Sequence, residues 1–290
     1  MRLIHVTDPH LSRLDGLTFS ALRGKRWSGY LSWRTNRQNK YLPAVLDQLT
    51  AAVVAEGADQ ILLTGDLVQI GLENEIQQAE QWLTRLGPAE RVMLVPGNHD
   101  IYARGSEAAV HDYWSKYLFH NASPGHFPVK RELGRICLIG LSSACVSPLF
   151  LATGKLGGNQ LQGLAVLLEK AADEQRLVCL LIHHPPLPQM TKWRKALADA
   201  QALQDVLERH PPALIFHGHL HHNREQLWGD SRIFCTAAAS SVRDASYRVI
   251  DVTDDGERWS VHMTLKSVAI ENNGDLAFLT VDEQTWVVNK

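Results

Sequence analysis

Short runs of mostly apolar residues recur along this chain, most of them closed by a glycine, a proline or a polar side chain. They are Leu3 to Thr7, Gln60 to Thr64, Arg91 to Val95, Ile136 to Leu141, Leu177 to Ile182, Ala213 to Phe216 and Ile233 to Ala237. Runs of this length read as strands, and continuous rather than alternating apolarity means burial on both faces. Helical spacing fills the gaps. Leu42, Val45, Leu46, Leu49 and Val53 form one apolar stripe, and Ile76, Ala79, Leu83 and Leu86 a second. Asn159 is placed to cap a helix carrying Leu161, Leu164 and Leu168, and Leu203, Val206 and Leu207 mark a fourth. Strands alternating with helices predict an α/β fold with parallel or mixed sheets. From Tyr247 onward only strands follow, Arg248 to Val252 and Ser260 to Leu265, with a hairpin at Asp254-Asp255-Gly256. With no internal repeat, low-complexity tract or linker, residues 1–290 are expected to form a single domain.

Charge narrows the class of function. With 29 Lys and Arg against 31 Asp and Glu, the formal net charge is −2, so no global basic field points to nucleic acid. Cys137, Cys179 and Cys235 sit inside strand-like runs, and neither they nor Cys145 form a Cys-x-x-Cys pair. Buried, reduced thiols are expected, which suits a reducing compartment. The N-terminus carries no apolar stretch of signal-peptide length and no window approaches a membrane span. A cytoplasmic location is expected, with attachment to the inner membrane surface left open.

Five segments place metal-binding side chains just beyond strand ends: Asp8-Pro9-His10, Gly65-Asp66, Gly97-Asn98-His99-Asp100, His183-His184-Pro185-Pro186 and Gly218-His219-Leu220-His221. In α/β sheets ligands gather at the carboxyl ends of strands, so distant segments can meet at one rim. Imidazole, carboxylate and carboxamide without thiolate suit Mn²⁺, Fe²⁺ or Zn²⁺. Each segment alone would pass as an ordinary turn; the ordered set is far more specific. His5, His111, His120, His126, His210 and His262 have no motif around them, and His184 and His222 read as neighbours of ligands.

The ordered set, spanning Asp8 to His221, resembles the calcineurin-like metallophosphoesterases. The resemblance implies a four-layer α/β/β/α sandwich with two mixed sheets and two divalent metal ions, manganese first, with iron or zinc as alternatives. It implies that Asp8, His10, Asp66 and His221 hold one ion and that Asp66, Asn98, His183 and His219 hold the other, with Asp66 bridging. All seven positions match. Hydrolysis of a phosphoester or diphosphate is then expected, with two ions about 3.5–4 Å apart clamping the reacting oxygens and supplying a bridging hydroxide. His99 would stabilise or protonate the leaving oxygen. Asp100 would either orient that imidazole or serve as a turn residue.

Substrate is addressed by Leu22 to Tyr41, which holds Arg23, Lys25, Arg26, Arg34, Arg37 and Lys40 among Trp27, Tyr30, Leu31, Trp33 and Tyr41 and no acidic residue. Such a segment fits a peripheral membrane contact, a lid, a dimer contact, or a helix with its aromatics on the core and its cations in water. Together with Trp193-Arg194-Lys195 it loosely resembles the branch that cleaves UDP-2,3-diacylglucosamine in lipid A synthesis. On that reading Arg23, Lys25, Arg26, Arg34, Trp193, Arg194 and Lys195 bind a nucleotide-linked lipid. A helical insert at 106–118, with Val110, Tyr113, Trp114 and Tyr117, walls an acyl groove. The alternatives are a cyclic-nucleotide or other small phosphodiester hydrolase and, last, a non-catalytic scaffold.

Overall fold

The structure, a computed structural model, describes residues 1–11, 14, 17–120, 125–270 and 275–290. Among the described residues twelve strands and six α-helices follow in order: β1 (Arg2–Val6), α1 (Lys25–Ser32), α2 (Pro43–Ala55), β2 (Gln60–Leu63), α3 (Glu73–Leu86), β3 (Val92–Leu94), α4 (Ser106–Phe119), β4 (Val129–Leu133), β5 (Ile136–Gly140), α5 (Gly158–Asp173), β6 (Leu177–Leu181), α6 (Ala200–Leu207), β7 (Leu214–His217), β8 (Arg224–Trp228), β9 (Ser231–Cys235), β10 (Ser246–Asp254), β11 (Arg258–Ile270) and β12 (Leu276–Asn289). They make two six-stranded sheets, ordered β12-β11-β10-β1-β2-β3 and β4-β5-β6-β7-β9-β8. Both are mixed. In the first, β1, β2 and β3 are parallel while β10, β11 and β12 run antiparallel. In the second, β5, β6, β7 and β9 are parallel, with β4 and β8 antiparallel at the edges.

The continuous apolar runs have the cause assigned to them. Side chains alternate across a strand, and β6 sends Leu177, Cys179 and Leu181 into the core shared with the first sheet. It sends Val178, Leu180 and Ile182 into a second core with α5 and α6. Strand β5 divides in the same way, Ile136 and Leu138 against Cys137 and Ile139. Helices α2, α3 and α4 close the outer face of the first sheet through Leu46, Leu49, Ile76, Leu83, Val110 and Trp114. The layers are therefore helix, sheet, sheet, helix.

Some expectations change. Strands β4, β8 and β12 were not foreseen; all lie at sheet edges, where half-exposed strands carry too many polar residues to read as core. Asn159 does not cap α5: that helix starts at Gly158, and the Asp199 carboxylate accepts from Leu156 N (3.1 Å) and Gly157 N (2.8 Å) just before it. The aromatic side chains expected to wall a groove from insert 106–118 are mostly spent on the core. Val110, Trp114 and Tyr117 lie in the main core, and Trp114 Nε1 donates to Ile76 O at 2.9 Å. All four cysteines are unpaired, three of them buried.

Candidate metal centre

The five ligand segments meet at one rim because backbone bonds stitch their loops together. Asp8 N donates to Gly65 O (3.0 Å) and His10 N to Asp66 O (3.1 Å), joining the first segment to the second. Gly218 N donates to His183 O (3.1 Å), and His219 N to Asp8 Oδ2 (3.0 Å), joining the fifth to the fourth and the first. Asp8, His10, Asp66, His219 and His221 all take positive φ, between 43° and 70°. For residues with a Cβ this is strained; the sharp bend swings each side chain off its strand axis into the space between the loops. Two glycines permit the approach. A Cβ on Gly97 would strike Asp66 and His183, and one on Gly218 would strike Thr7 and Asp8.

Two groups of ligand atoms result, each within 4.8 Å: Asp8, His10, Asp66 and His221, and Asp66, His183 and His219. Asn98 joins the second through Oδ1, 3.2 Å from His183 Nε2. Asp66 belongs to both.

This arrangement fits cations. The His10 and His183 rings face Val68 O (3.3 Å) and Thr64 O (2.6 Å) with Nδ1, and donation there turns the Nε2 lone pairs inward. Inside, His10 Nε2 and His221 Nε2 are 3.2 Å apart, as are His183 Nε2 and His219 Nδ1. Facing lone pairs repel unless positive charge lies between them. Asp8 Oδ1 is 3.0 Å from His221 Nε2, yet this buried oxygen has no aligned hydrogen-bond donor. Burial pulls the His183 imidazole down, but the Asp66 and Asp8 carboxylates override it and lift it to about 9. The space demands cations, and the donor set is imidazole, carboxylate and carboxamide.

Around these ligands stand further groups, His99 and His184 from the motifs and Tyr41 and Arg37 from outside them. Tyr41 Oη is 2.7 Å from His221 Nδ1 and its ring packs on His10 at 4.7 Å. His99 N donates to Asp66 Oδ1 at 2.7 Å, and its ring stacks on Tyr102. His99 Nδ1 faces Gln69 O, which only accepts, so Nδ1 carries the proton and Nε2 is left as an acceptor, 3.3 Å from Arg37 Nη1. Burial takes the His99 imidazole down to about 4, with Arg37 acting in the same direction and Asp66 opposing. Arg37 and Tyr41 gave no sequence signal beyond their place in a basic-aromatic segment. His184, also buried, packs against the His219 ring at a tilt, with centroids 4.5 Å apart, and lies 2.8 Å from Ser143 Oγ through Nδ1, supporting the ligands from behind.

Asp100 does not orient His99. Its Oδ1 accepts from Leu67 N (2.8 Å) and Val68 N (3.2 Å), and its Oδ2 from Asp66 N (2.8 Å) and Gly97 N (2.8 Å). It braces two ligand loops, the turn role taken to its full extent. Arg26 is likewise spent on the fold, donating to Gly71 O (2.7 Å) and Ile70 O (3.3 Å). Lys25 donates to Ser147 Oγ (2.6 Å) and Leu151 O (3.1 Å), tying α1 to the loop after β5, while its charge still reaches Asp66. Arg23 is exposed, Arg34 donates to Tyr30 Oη at the surface, and Arg194 lies over the exposed Trp193 ring. Of that second trio only Lys195 acts on the centre, through its charge on His219.

Known proteins resemble this chain in sequence and in fold. The chain is 29% identical over 198 residues to glycerophosphodiester phosphodiesterase GpdQ of Enterobacter lignolyticus (strain SCF1), an alignment covering 61% of this chain and 60% of that protein. It is 26% identical over 241 residues to 3',5'-cyclic adenosine monophosphate phosphodiesterase CpdA of Vibrio vulnificus (strain CMCP6), covering 81% and 75%. The fold matches a crystal structure of a dimetal phosphatase from Danio rerio with a TM-score of 0.63 at 16% identity, over 98% of each chain. A family model described as calcineurin-like phosphoesterase matches residues 1–223, the stretch that supplies every ligand above, and the chain belongs to that family.

Proposed function

We propose that this metal-dependent phosphoesterase hydrolyses small phosphodiesters. The observation that carries the reading is the pair of ligand clusters sharing Asp66, closed on one side by His99 and Arg37. Asp8, His10, Asp66 and His221 would hold one cation, and Asp66, Asn98, His183 and His219 the other; manganese is our choice among the ions this donor set accepts. Two such ions supply charge for the phosphoryl oxygens and a water acidified towards neutral pH. The chain does the positioning. Asp66 sets both clusters, and Asp100 fixes the loops that carry Asp66 and Asn98. Tyr41 holds the His221 ring. His99, with Nε2 beside Arg37, would meet the substrate at the edge of the centre.

Relatives named as a glycerophosphodiester and a cyclic AMP phosphodiesterase support the small-diester alternative over the UDP-2,3-diacylglucosamine reading, to which no comparison points. A diester carrying an apolar group is the second reading. Trp27, Phe150 and Trp193 are 46%, 77% and 68% exposed, on segments tied together by the Lys25 bonds and by Ala152 N to Arg194 O at 2.9 Å. No helix among the described residues is long and apolar enough to cross a membrane. Unpaired cysteines support a reducing, cytoplasmic setting.

Hydrolysis of bis-p-nitrophenyl phosphate with added Mn²⁺ tests the reading, with the Asp66→Ala and His99→Ala variants alongside. Wild-type turnover lost in both variants supports it. Absence of turnover with every divalent ion and with cyclic AMP, a glycerophosphodiester and the UDP-lipid alike would sink it.

A further inference from the structure

Arg37 ends a π-helical turn, Trp33–Arg37, that continues α1. Such turns are often found at functional sites because they re-aim a side chain. Here the re-aimed side chain reaches into the centre. Nη2 donates to Gly29 O at 3.0 Å, which anchors the guanidinium, and Nη1 lies 3.1 and 3.3 Å from the two ring nitrogens of His99. Gly29 is required for this placement: a Cβ there would meet Tyr102 Oη at 2.5 Å and Ile70 Cγ2 at 2.8 Å. The Nε atom is buried with no hydrogen-bond partner.

The charge balance is what makes this arrangement informative. Arg37 is half-buried, and a guanidinium drawn away from water is normally paired, since charge removed from water without a counterpart is costly. Among the described residues no carboxylate forms an ion pair with Arg37; its direct partners are a carbonyl and an imidazole. A neutral ring nitrogen is a weak counterpart for a full positive charge. The open side of the same imidazole faces the centre in which Asp66 and His10 stand, His99 bonding the first through its backbone and packing edge-on against the second at 5.0 Å. A planar fork of donors, anchored at one end and poorly matched at the other, suits a phosphoryl oxygen.

We propose that Arg37 is a substrate-binding residue that leaves His99 Nε2 for a non-bridging oxygen of the phosphodiester. This rests on the phosphodiesterase reading for its substrate but not for its site: the ligand chemistry is a phosphoryl anion, and inorganic phosphate, the simplest such anion, is the probe. Departure of Nη1 also frees His99 Nε2, so one anion would both fill the guanidinium and release the imidazole to face the leaving group.

The test uses Mn²⁺-loaded full-length protein, with Arg37→Ala, Arg37→Gln and Arg37→Lys. Inorganic phosphate binding is measured by calorimetry, and KM and kcat are measured on bis-p-nitrophenyl phosphate. Thermal melting and metal stoichiometry check that the variants are intact. Losing a charge-assisted bond should weaken phosphate affinity and raise KM by about tenfold or more in Ala and Gln. Lysine, a point charge without the fork, should recover part of both. Because the phosphoryl charge is present before reaction, KM should move more than kcat. If alanine destabilises the chain, glutamine, which keeps the stem and a polar amide where Nε stood, decides. Unchanged phosphate affinity and KM in Gln, with only kcat reduced, would overturn the proposal and leave Arg37 acting through His99. If the wild type turns over no diester, phosphate affinity still decides the role of Arg37 while the hydrolase reading falls.

Discussion

Asp100→Asn exchanges one carboxylate oxygen for an NH2 group at a point where four backbone N–H groups converge, those of Asp66, Leu67, Val68 and Gly97. The remaining carbonyl oxygen can keep one pair of donors. The other pair then faces a donor and is left unpaired in a fully buried position. At about 1–3 kcal/mol for each buried group left unsatisfied, stability should fall by about 2–6 kcal/mol. For a chain of this size each kcal/mol lowers the melting midpoint by roughly 2–4 °C, so a drop of at least about 4 °C is expected. The loops that loosen carry Asp66 and Asn98, so Mn²⁺ affinity should fall as well. Circular dichroism melts and metal titration by calorimetry read both effects. A melting midpoint within about 1 °C of wild type, with unchanged metal affinity and the loss confined to kcat, would refute the bracing account. It would return Asp100 to the role of a partner acting on His99.

Three further outcomes are expected. Tyr41→Phe removes the group 2.7 Å from His221 Nδ1 and should weaken the first cluster's metal affinity by about 10- to 100-fold, measured against a competing chelator; equal affinity would show that the phenol only packs. Gly97→Ala drives a Cβ into Asp66 and His183, so metal loading should fail while far-ultraviolet circular dichroism keeps its native shape; normal metal stoichiometry would contradict it. Mn²⁺ at a hundred times its dissociation constant should stabilise the wild type by about 2.7 kcal/mol. That gain should shrink sharply in Asp66→Ala, which loses a ligand from each cluster; an equal gain in that variant would place the ion elsewhere.

The alternation of buried strands with helices and the ligand segments were legible in the sequence because both follow from local pattern, whereas the four layers were implied only by the family resemblance. Continuous apolar runs such as Leu177 to Ile182 announce two covered faces, and the ligand types recur at strand ends. What stayed hidden depends on tertiary contact. Arg26 and Arg37 are the same residue type in one segment, yet one clamps the carbonyls of Ile70 and Gly71 and the other touches His99. Nothing within a few positions of either says which. Trp114 and Tyr117 were assigned to a pocket because aromatic residues attract that reading; their spacing with Val110 is a core stripe, and the core is where they lie. Asp100 looked catalytic through its neighbour, although a carboxylate after Gly-Asn-His can equally turn inward and collect N–H groups.

The left-handed backbone at Asp8, His10, Asp66, His219 and His221 has a consequence for how such a chain can drift. Each of these residues costs of order 1–2 kcal/mol relative to a glycine at the same place. Together they are an investment that only bound cations return. A descendant that abandoned catalysis would gain stability by exchanging them for glycine or asparagine one at a time. Retention of all five across members of the fold would therefore point to selection for the metal-loaded state rather than for stability, and an inventory of positive-φ ligands would separate working members from retired ones.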